Sequence, residues 1–252
     1  MRKRSITLLI PVILLLLSVS ASALSPAEPE MLYKNRKAVP VALSLDPSDY
    51  PSAGMPYEAS ESEKTDRKTF KICVNCKTNS VTVYKNDGNG NYDNAVMAMV
   101  CSVGRATPKG TYRTSDKYRW HELFGRSCGQ YCTRITGNIL FHSVPYSAMR
   151  SDSLKYEEYN KLGTSASMGC VRLQAADAQW IYENCASGTQ VVIYSEDDPG
   201  PLGKPDYVPI DTASANRVWD PTDTDENNPW REVEAYTPLW AKDKPEIIGI
   251  EN

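Results

Sequence analysis

Apolar residues in this chain alternate with polar ones, or gather in short β-branched runs, only between Thr69 and Ser195. Phe70-Lys71-Ile72-Cys73-Val74 and Ser80-Val81-Thr82-Val83-Tyr84 read as strands, with Cys76 to Asn79 as the turn between them. Asp87-Gly88-Asn89-Gly90-Asn91 is a second turn, and Ala95 to Val103 reads as a buried strand ended by Gly104. Gly137-Asn138 turns into Ile139-Leu140-Phe141-His142, and Gln190-Val191-Val192-Ile193-Tyr194 is a last buried strand. Strands so short must pair with one another to be stable. The patterned segment is therefore a mainly β domain of about 125 residues, an ordinary domain size. One good helix is expected in it. Ala175 to Ala186 sets Ala178, Ile181 and Cys185 on one face, with Gly188 where a stop belongs. A shorter helix is expected over Ser153 to Leu162, stopped by Gly163.

The flanks read differently. Arg2, Lys3 and Arg4 precede an apolar run from Ile6 to Leu17, and Ala21-Ser22-Ala23 is a small-x-small cleavage site. Residues 1–23 are expected to be a secretory signal peptide. The run is shorter than the roughly 20 residues of a membrane span, and an uncleaved N-terminal anchor is the alternative. Residues 24–68 are rich in Pro, Ser and charge and show no apolar period, so a flexible tether is expected. Residues 196–252 form an acidic tail whose Trp219, Trp230 and Trp240 are expected to dock parts of it on the domain. The mature protein is expected outside the cytoplasm.

Charge narrows the function classes. A formal net charge of −3 with 23% charged residues excludes a coiled coil, a collagen-like repeat and a basic nucleic-acid binder. The patterned segment holds 14 basic against 9 acidic residues, net +5, whereas the tail holds 5 against 14, net −9. A basic core with an acidic tail suits an anionic polymer as partner.

The chain has two histidines, His121 and His142. A Cys or Ser nucleophile at neutral pH usually needs a nearby base, and His is the common choice. His121 follows Arg119-Trp120 and reads as an exposed loop residue. His142 ends an apolar strand, which would hold it rigidly at a sheet rim. Ser167-Met168-Gly169-Cys170-Val171-Arg172 places a Cys after a Gly, just ahead of the main helix. Gly169 allows the tight geometry in which the Gly169 and Cys170 amides point at a developing oxyanion, and the helix N-terminus is expected to favour a thiolate.

These residues form an ordered set. His142, Leu162-Gly163-Thr164, Ser167 to Leu173, Asp177-Ala178 and Gly188-Thr189-Gln190-Val191 follow an upstream Thr107-Pro108-Lys109-Gly110-Thr111-Tyr112. Together they resemble the L,D-transpeptidase catalytic (YkuD) domain, from about Thr69 to Ser195. The resemblance implies a β-sandwich with one main helix after the catalytic Cys; the stretch from His142 to Ser167 is longer than in the shortest members, and its inserted helix is expected to form a cleft wall. It implies a cysteine enzyme of peptidoglycan that needs neither metal nor other cofactor. By position, Cys170 is the nucleophile, His142 its base, the Ser143 carbonyl the group orienting the imidazole, and Gly169 and Cys170 the oxyanion hole. Tyr131 matches a loop aromatic lining the substrate cleft. Arg172 holds the loop or meets a substrate carboxylate, and Ser167 and Met168 stand on the substrate side. Many members have His where this chain has Met168, which implies an altered substrate contact.

The implied reaction begins when Cys170 attacks a donor tetrapeptide stem, releasing its terminal D-amino acid and forming a thioester. An acceptor amine on a neighbouring stem then resolves it to a 3→3 cross-link. Water as acceptor would make the protein an L,D-carboxypeptidase. A non-catalytic wall-binding protein is the reading from another class. Cell-wall association and acylation by carbapenems follow from the same likeness, and neither nucleic acid nor a protein partner is expected.

Seven cysteines in an exported chain fit one catalytic thiol and three disulfides. Cys128 and Cys132 fall in one expected loop and should bridge locally beside Tyr131. Cys101 and Cys185 sit at core positions and also read as buried thiols, leaving Cys73 and Cys76 without an evident partner. A zinc site built from Cys73, Cys76, Cys128 and Cys132 is a rival.

Overall fold

The computed structural model describes residues 57–232. The expected signal peptide, most of the tether, and the end of the tail with Trp240 lie outside the described residues. The fold is mainly β, in two sheets. One has the order β3-β2-β1-β9-β4, from β1 (Phe70–Asn75), β2 (Ser80–Lys85), β3 (Asn94–Val100), β4 (Gly110–Arg113) and β9 (Gln190–Tyr194). The other has the order β5-β6-β7-β8, from β5 (Lys117–Leu123), β6 (Ser127–Thr136), β7 (Ile139–Ser143) and β8 (Val171–Leu173).

The core lies between them. Ile72, Val74, Val81, Val83, Val191 and Ile193 of the first sheet meet Ile135, Phe141, Val171 and Leu173 of the second. Each such side chain, fully buried, stabilises the fold by about 1.5–3 kcal/mol relative to exposure. Three helices are described: α1 (Glu61–Thr65), α2 (Tyr156–Tyr159) and α3 (Ala175–Asn184). The last carries the chain from β8 to β9, and Ala178, Ile181 and the following Cys185 are its fully buried face.

Two expectations change. The segment read as tether is ordered from residue 57 onward. Ser60-x-x-Glu63 is a capping box, with the Ser60 amide donating to the Glu63 carboxylate at 2.7 Å, and it starts α1. Trp180 Nε1 donates to the Tyr57 carbonyl at 2.7 Å, and Phe70 packs edge-on against both rings. The inserted helix is shorter than its apolar spacing predicts. Leu154 is bridged to Tyr146 and its amide donates to the Val218 carbonyl, so residue 154 is held extended and only Tyr156–Tyr159 is α-helical.

The tail shapes this region. Ile210 and Trp230 pack with Val144, Tyr146, Leu154, Tyr159 and Leu162 in a second core. The Asn160 side chain bonds both the carbonyl and the amide of Ile210, each at 2.8 Å. Farther along, the tail caps α3. The Ala175 amide donates to Asp220 Oδ2 at 3.0 Å and the Ala176 amide to Thr222 Oγ1 at 3.1 Å, a role the N-cap residue Gln174 does not fill. Asp177, in the same first turn, is buried with both carboxylate oxygens unbonded among the described residues. Burial, then the neighbouring Asp220, pushes its pKa well above the ordinary range. Burial likewise pushes Asp220 up to about 7, against the pull of its bonds from Thr222 and Ala175.

The folded state thus holds protons on Asp177 and Asp220 that an unfolded chain releases near pH ~3.9. Their contribution is full below that pH and is lost as pH rises, for Asp220 through about 7. In Asp177→Asn the melting temperature should therefore fall less from mildly acidic to mildly alkaline pH than in the unsubstituted protein. Thermal melts across that range test this, and an equal or steeper fall would count against a neutral Asp177.

Candidate active site

The site follows from strand register. β7 and β8 run parallel, with Phe141 opposite Val171, His142 opposite Arg172 and Ser143 opposite Leu173. Side chains alternate along a strand, and paired residues share a face. Phe141 and Val171 therefore enter the core, while Leu140, His142, Cys170 and Arg172 share the other face, where they line one cleft of about 520 Å³. His142 on β7 and Cys170, the residue before β8, are diagonal neighbours.

The loop carrying Cys170 is held by close backbone crossings. A Cβ on Gly104 would lie 2.1 Å from the Ser167 carbonyl oxygen, so only glycine fits there. The buried Thr107 hydroxyl accepts from the Gly104 amide at 2.9 Å and donates to the Gly169 carbonyl at 2.8 Å. That gives the Thr-Pro-x-Gly element a role in seating the Cys170 loop, which sequence reasoning did not assign. Ser167 turns inward as well, its hydroxyl donating to the Cys170 carbonyl at 2.6 Å. Met168 stands 66% exposed at the cleft rim.

His142 is buried, and its Nδ1 lies 2.6 Å from the Ser143 carbonyl oxygen. A carbonyl only accepts, so Nδ1 carries the proton and Nε2 is left as the basic nitrogen. Burial, and secondarily the charge of Arg172, lowers its pKa to about 4, against the upward pull of the Ser143 carbonyl. Burial also raises the Cys170 pKa, although the Leu140 amide and the guanidinium groups of Arg172 and Arg134 favour the thiolate. The resting pair is a neutral thiol and a neutral imidazole. In this conformation the thiol donates to the Asn138 carbonyl at 3.5 Å, so the dyad is open. A turn about χ1 redirects it, and catalytic hydrogen bonds commonly close only with substrate.

Other expected site features are placed elsewhere. Tyr131 lies on β6, buried at 6% exposure against Tyr182 with Arg119 over its ring at 4.0 Å, and not in the cleft. Its φ of 52° is rare for an aromatic residue and has no sequence signal. Cys128 and Cys132 also lie on β6, not in a loop. Four strand residues span about 13 Å, beyond the reach of a disulfide. All seven cysteines are free thiols. Cys73 belongs to β1 of the other sheet, and among the described residues no three metal-ligating side chains gather.

The helix N-terminus does not assist the thiolate, because β8 separates Cys170 from α3 and the tail takes up the helix amides. Arg172 lines the cleft but pairs with Glu158 of α2 at 2.5 Å. The insertion thus supports the cleft from behind rather than forming its wall. His121, read as a loop residue, lies on β5 and borders the same cleft. Opposite it stands Gly129, where a Cβ would lie 3.1 Å from both Cβ and Nδ1 of His142. Sequence reasoning missed the role of Gly129, since a glycine inside a strand signals only a close approach of something unspecified.

A family model described as the L,D-transpeptidase catalytic domain (YkuD) matches residues 69–193. The Bacillus subtilis (strain 168) relative named as the L,D-transpeptidase YciB is 34% identical over 141 residues, 52% of this chain and 70% of that protein. Among solved structures, a fused Zn-dependent amidase/peptidase/peptidoglycan-binding domain-containing protein from Clostridium acetobutylicum ATCC 824 is 25% identical, with a TM-score of 0.39, over 50% of this chain and 52% of that one. The LD transpeptidase LdtMt1 in complex with imipenem is 20% identical, with a TM-score of 0.38, over 50% and 58% respectively. The chain thus spans little more than half the length of these two solved chains.

Two outcomes are expected. Gly129→Ala should displace the His142 ring and slow acylation of Cys170 about a hundredfold, since a misplacement near 1 Å can have that effect. Its melting temperature should change little, and an unchanged acylation rate would show that Gly129 does not seat the imidazole. With His142 basic down to about pH 4, acylation should hold its rate from neutral into mildly acidic solution and fall only as pH nears about 4. Adduct formation followed by intact mass against pH checks this; a decline centred near an ordinary imidazole pKa of about 6.5 would contradict it.

Proposed function

This chain belongs to the L,D-transpeptidase catalytic domain (YkuD) family, and from that premise we propose that it joins peptidoglycan stem peptides through a Cys170 thioester, forming 3→3 cross-links. The observation that carries this reading is the β7–β8 register, which supports a nucleophile and a base on one face of one cleft. In the first half-reaction the Cys170 proton passes to His142 Nε2 as the sulfur attacks the donor carbonyl. The amides of Gly169 and Cys170, on the loop before β8, receive the oxyanion. The proton then leaves with the departing D-amino acid, and the thioester remains. In the second, an acceptor amine attacks the thioester carbonyl and Cys170 regains a proton.

The cleft suits a peptide with an aliphatic edge. Leu123, Phe124, Ile139 and Met168 give it an apolar rim. Arg172, paired with Glu158, serves as a fixed positive wall rather than as a free partner for a substrate carboxylate. Residues 1–23 would export the chain and the Pro- and Ser-rich segment after them would let the domain search the wall, a reading supported by composition alone. Among the described residues no helix is long and apolar enough to cross a membrane.

Mass spectrometry of tetrapeptide stems after incubation with the purified protein tests the proposal. Loss of the terminal D-amino acid with formation of a linked dimer is expected. A tripeptide without a dimer would favour water as acceptor, and unchanged stems with no thioester would overturn the reading. Cys170→Ala and His142→Ala should each lower turnover by at least about a thousandfold while the fold survives, because nucleophile and base act as a unit. A carbapenem presents a strained carbonyl to the same thiol and should add once, with no adduct in Cys170→Ser.

A further inference from the structure

The chain has two histidines, and both border the cleft that holds Cys170. His142 has a role in the proposed reaction; His121 has none. Yet His121 is fixed with care. Its ring stacks on Tyr118 with centroids 4.5 Å apart and planes 18° off parallel. The Tyr118 hydroxyl accepts from Arg134 at 3.1 Å, and Arg134 pairs with Asp116 at 3.0 Å. No described residue takes a hydrogen bond to either ring nitrogen of His121, so the imidazole is oriented by its face and open at its edge.

Its position relative to His142 is set by one glycine. His121 on β5 pairs with Gly129 on β6, and the His142 ring lies against that same glycine. β6 lies between the strands of the two histidines, and Gly129 on it puts no side chain between the two imidazoles. Around this gap stand Arg134 and Arg172 as charged groups, with Tyr118, Cys170 and His142 as the titratable ones. Glu122, next to His121 on β5, is paired with Cys128 and by strand alternation points to the opposite face, so His121 is the basic group that β5 turns toward this end of the cleft.

We propose that the β5 wall is the acceptor subsite, where His121 removes a proton from the ammonium of the incoming stem. The inference rests on the transpeptidase reading above and extends it to the second half-reaction. An acceptor amine arrives protonated and has two protons to lose before a stable amide forms. The first passes to His121 and on to water, leaving a neutral amine. That amine attacks the thioester carbonyl; as the C–N bond forms and the C–S bond breaks, its second proton passes through His142 to the Cys170 sulfur. His142, engaged with Cys170, serves the second transfer, and His121 serves the first.

The test separates the two half-reactions in full-length His121→Gln. Thioester formation, read by intact mass and by release of the donor's D-amino acid, should stay within about twofold of the unsubstituted protein. Cross-link formation with a tetrapeptide acceptor should fall by about a hundredfold near neutral pH, a typical general-base effect. The deficit should close as pH approaches the amine's own pKa, near ~10 for a lysine-like group, because solvent then removes the proton. Tyr118→Leu, which takes away the stacking partner and leaves the histidine, should give a smaller deficit with the same recovery. A parallel loss of thioester formation, an unchanged cross-linking rate, or a deficit indifferent to pH would each overturn the role of His121. No thioester in the unsubstituted protein would overturn the transpeptidase reading itself, and the acceptor subsite with it.

Discussion

The parallel pairing of β7 with β8 is the constraint on which the rest of the structure depends. Three residue pairs set which side chains enter the core and which face the cleft. A slip of one residue would send Cys170 and Arg172 inward and Val171 outward, exchanging a buried apolar side chain for a thiol and a guanidinium. The surrounding elements resist that slip. Thr107 and Gly104 grip the loop before β8, and Arg172 reaches back to Glu158 of the insertion. The insertion is covered in turn by the tail, through Asn160 and Ile210.

This chain of support explains why so many polar groups lie inside. Gln130 is fully buried, and its side chain accepts from Arg119 while donating to Tyr146 and Asp223, so β5, β6, the loop after β7 and the tail meet at one amide. Its backbone amide donates to Ser143 Oγ at 3.0 Å, immediately beside His142. A buried amide whose donors and acceptor are all satisfied specifies one arrangement, whereas an apolar residue would tolerate several. The tail is therefore part of the scaffold behind the cleft. Its acidic character also has a structural use, since Asp220 supplies the cap that α3 lacks locally.

Electrostatically the site is restrained. Burial disfavours both the imidazolium of His142 and the thiolate of Cys170, so no ion pair stands ready in the empty cleft. The Ser143 carbonyl compensates by fixing the tautomer and holding the ring. In the proposed reaction such a pair exchanges its proton only as a substrate carbonyl arrives to take the developing charge. That limits reaction of the thiol with other electrophiles.

Much of this was legible in the residues. Alternation located β1, β2, β7 and β9 to within a residue or two, helical spacing located α3, and the order of motifs pointed to Cys170 and His142. These are local or short-range signals, because period, turn chemistry and motif spacing are written along the chain. What required the tertiary structure was set by contacts between distant segments. The left-handed backbone of Tyr131 carries an aromatic expected in the cleft into the core. The β6 strand separates Cys128 from Cys132, and a bridge from Leu154 to Tyr146 shortens the inserted helix. His121 belongs to the cleft because a glycine eight residues onward in the neighbouring strand leaves room beside His142. The sequence by itself determined β1, β2, β7, β9 and the main helix, and singled out Cys170 and His142 as candidates for nucleophile and base. Only the tertiary structure decided which other side chains share their cleft, since that depends on pairing between strands that no local pattern encodes.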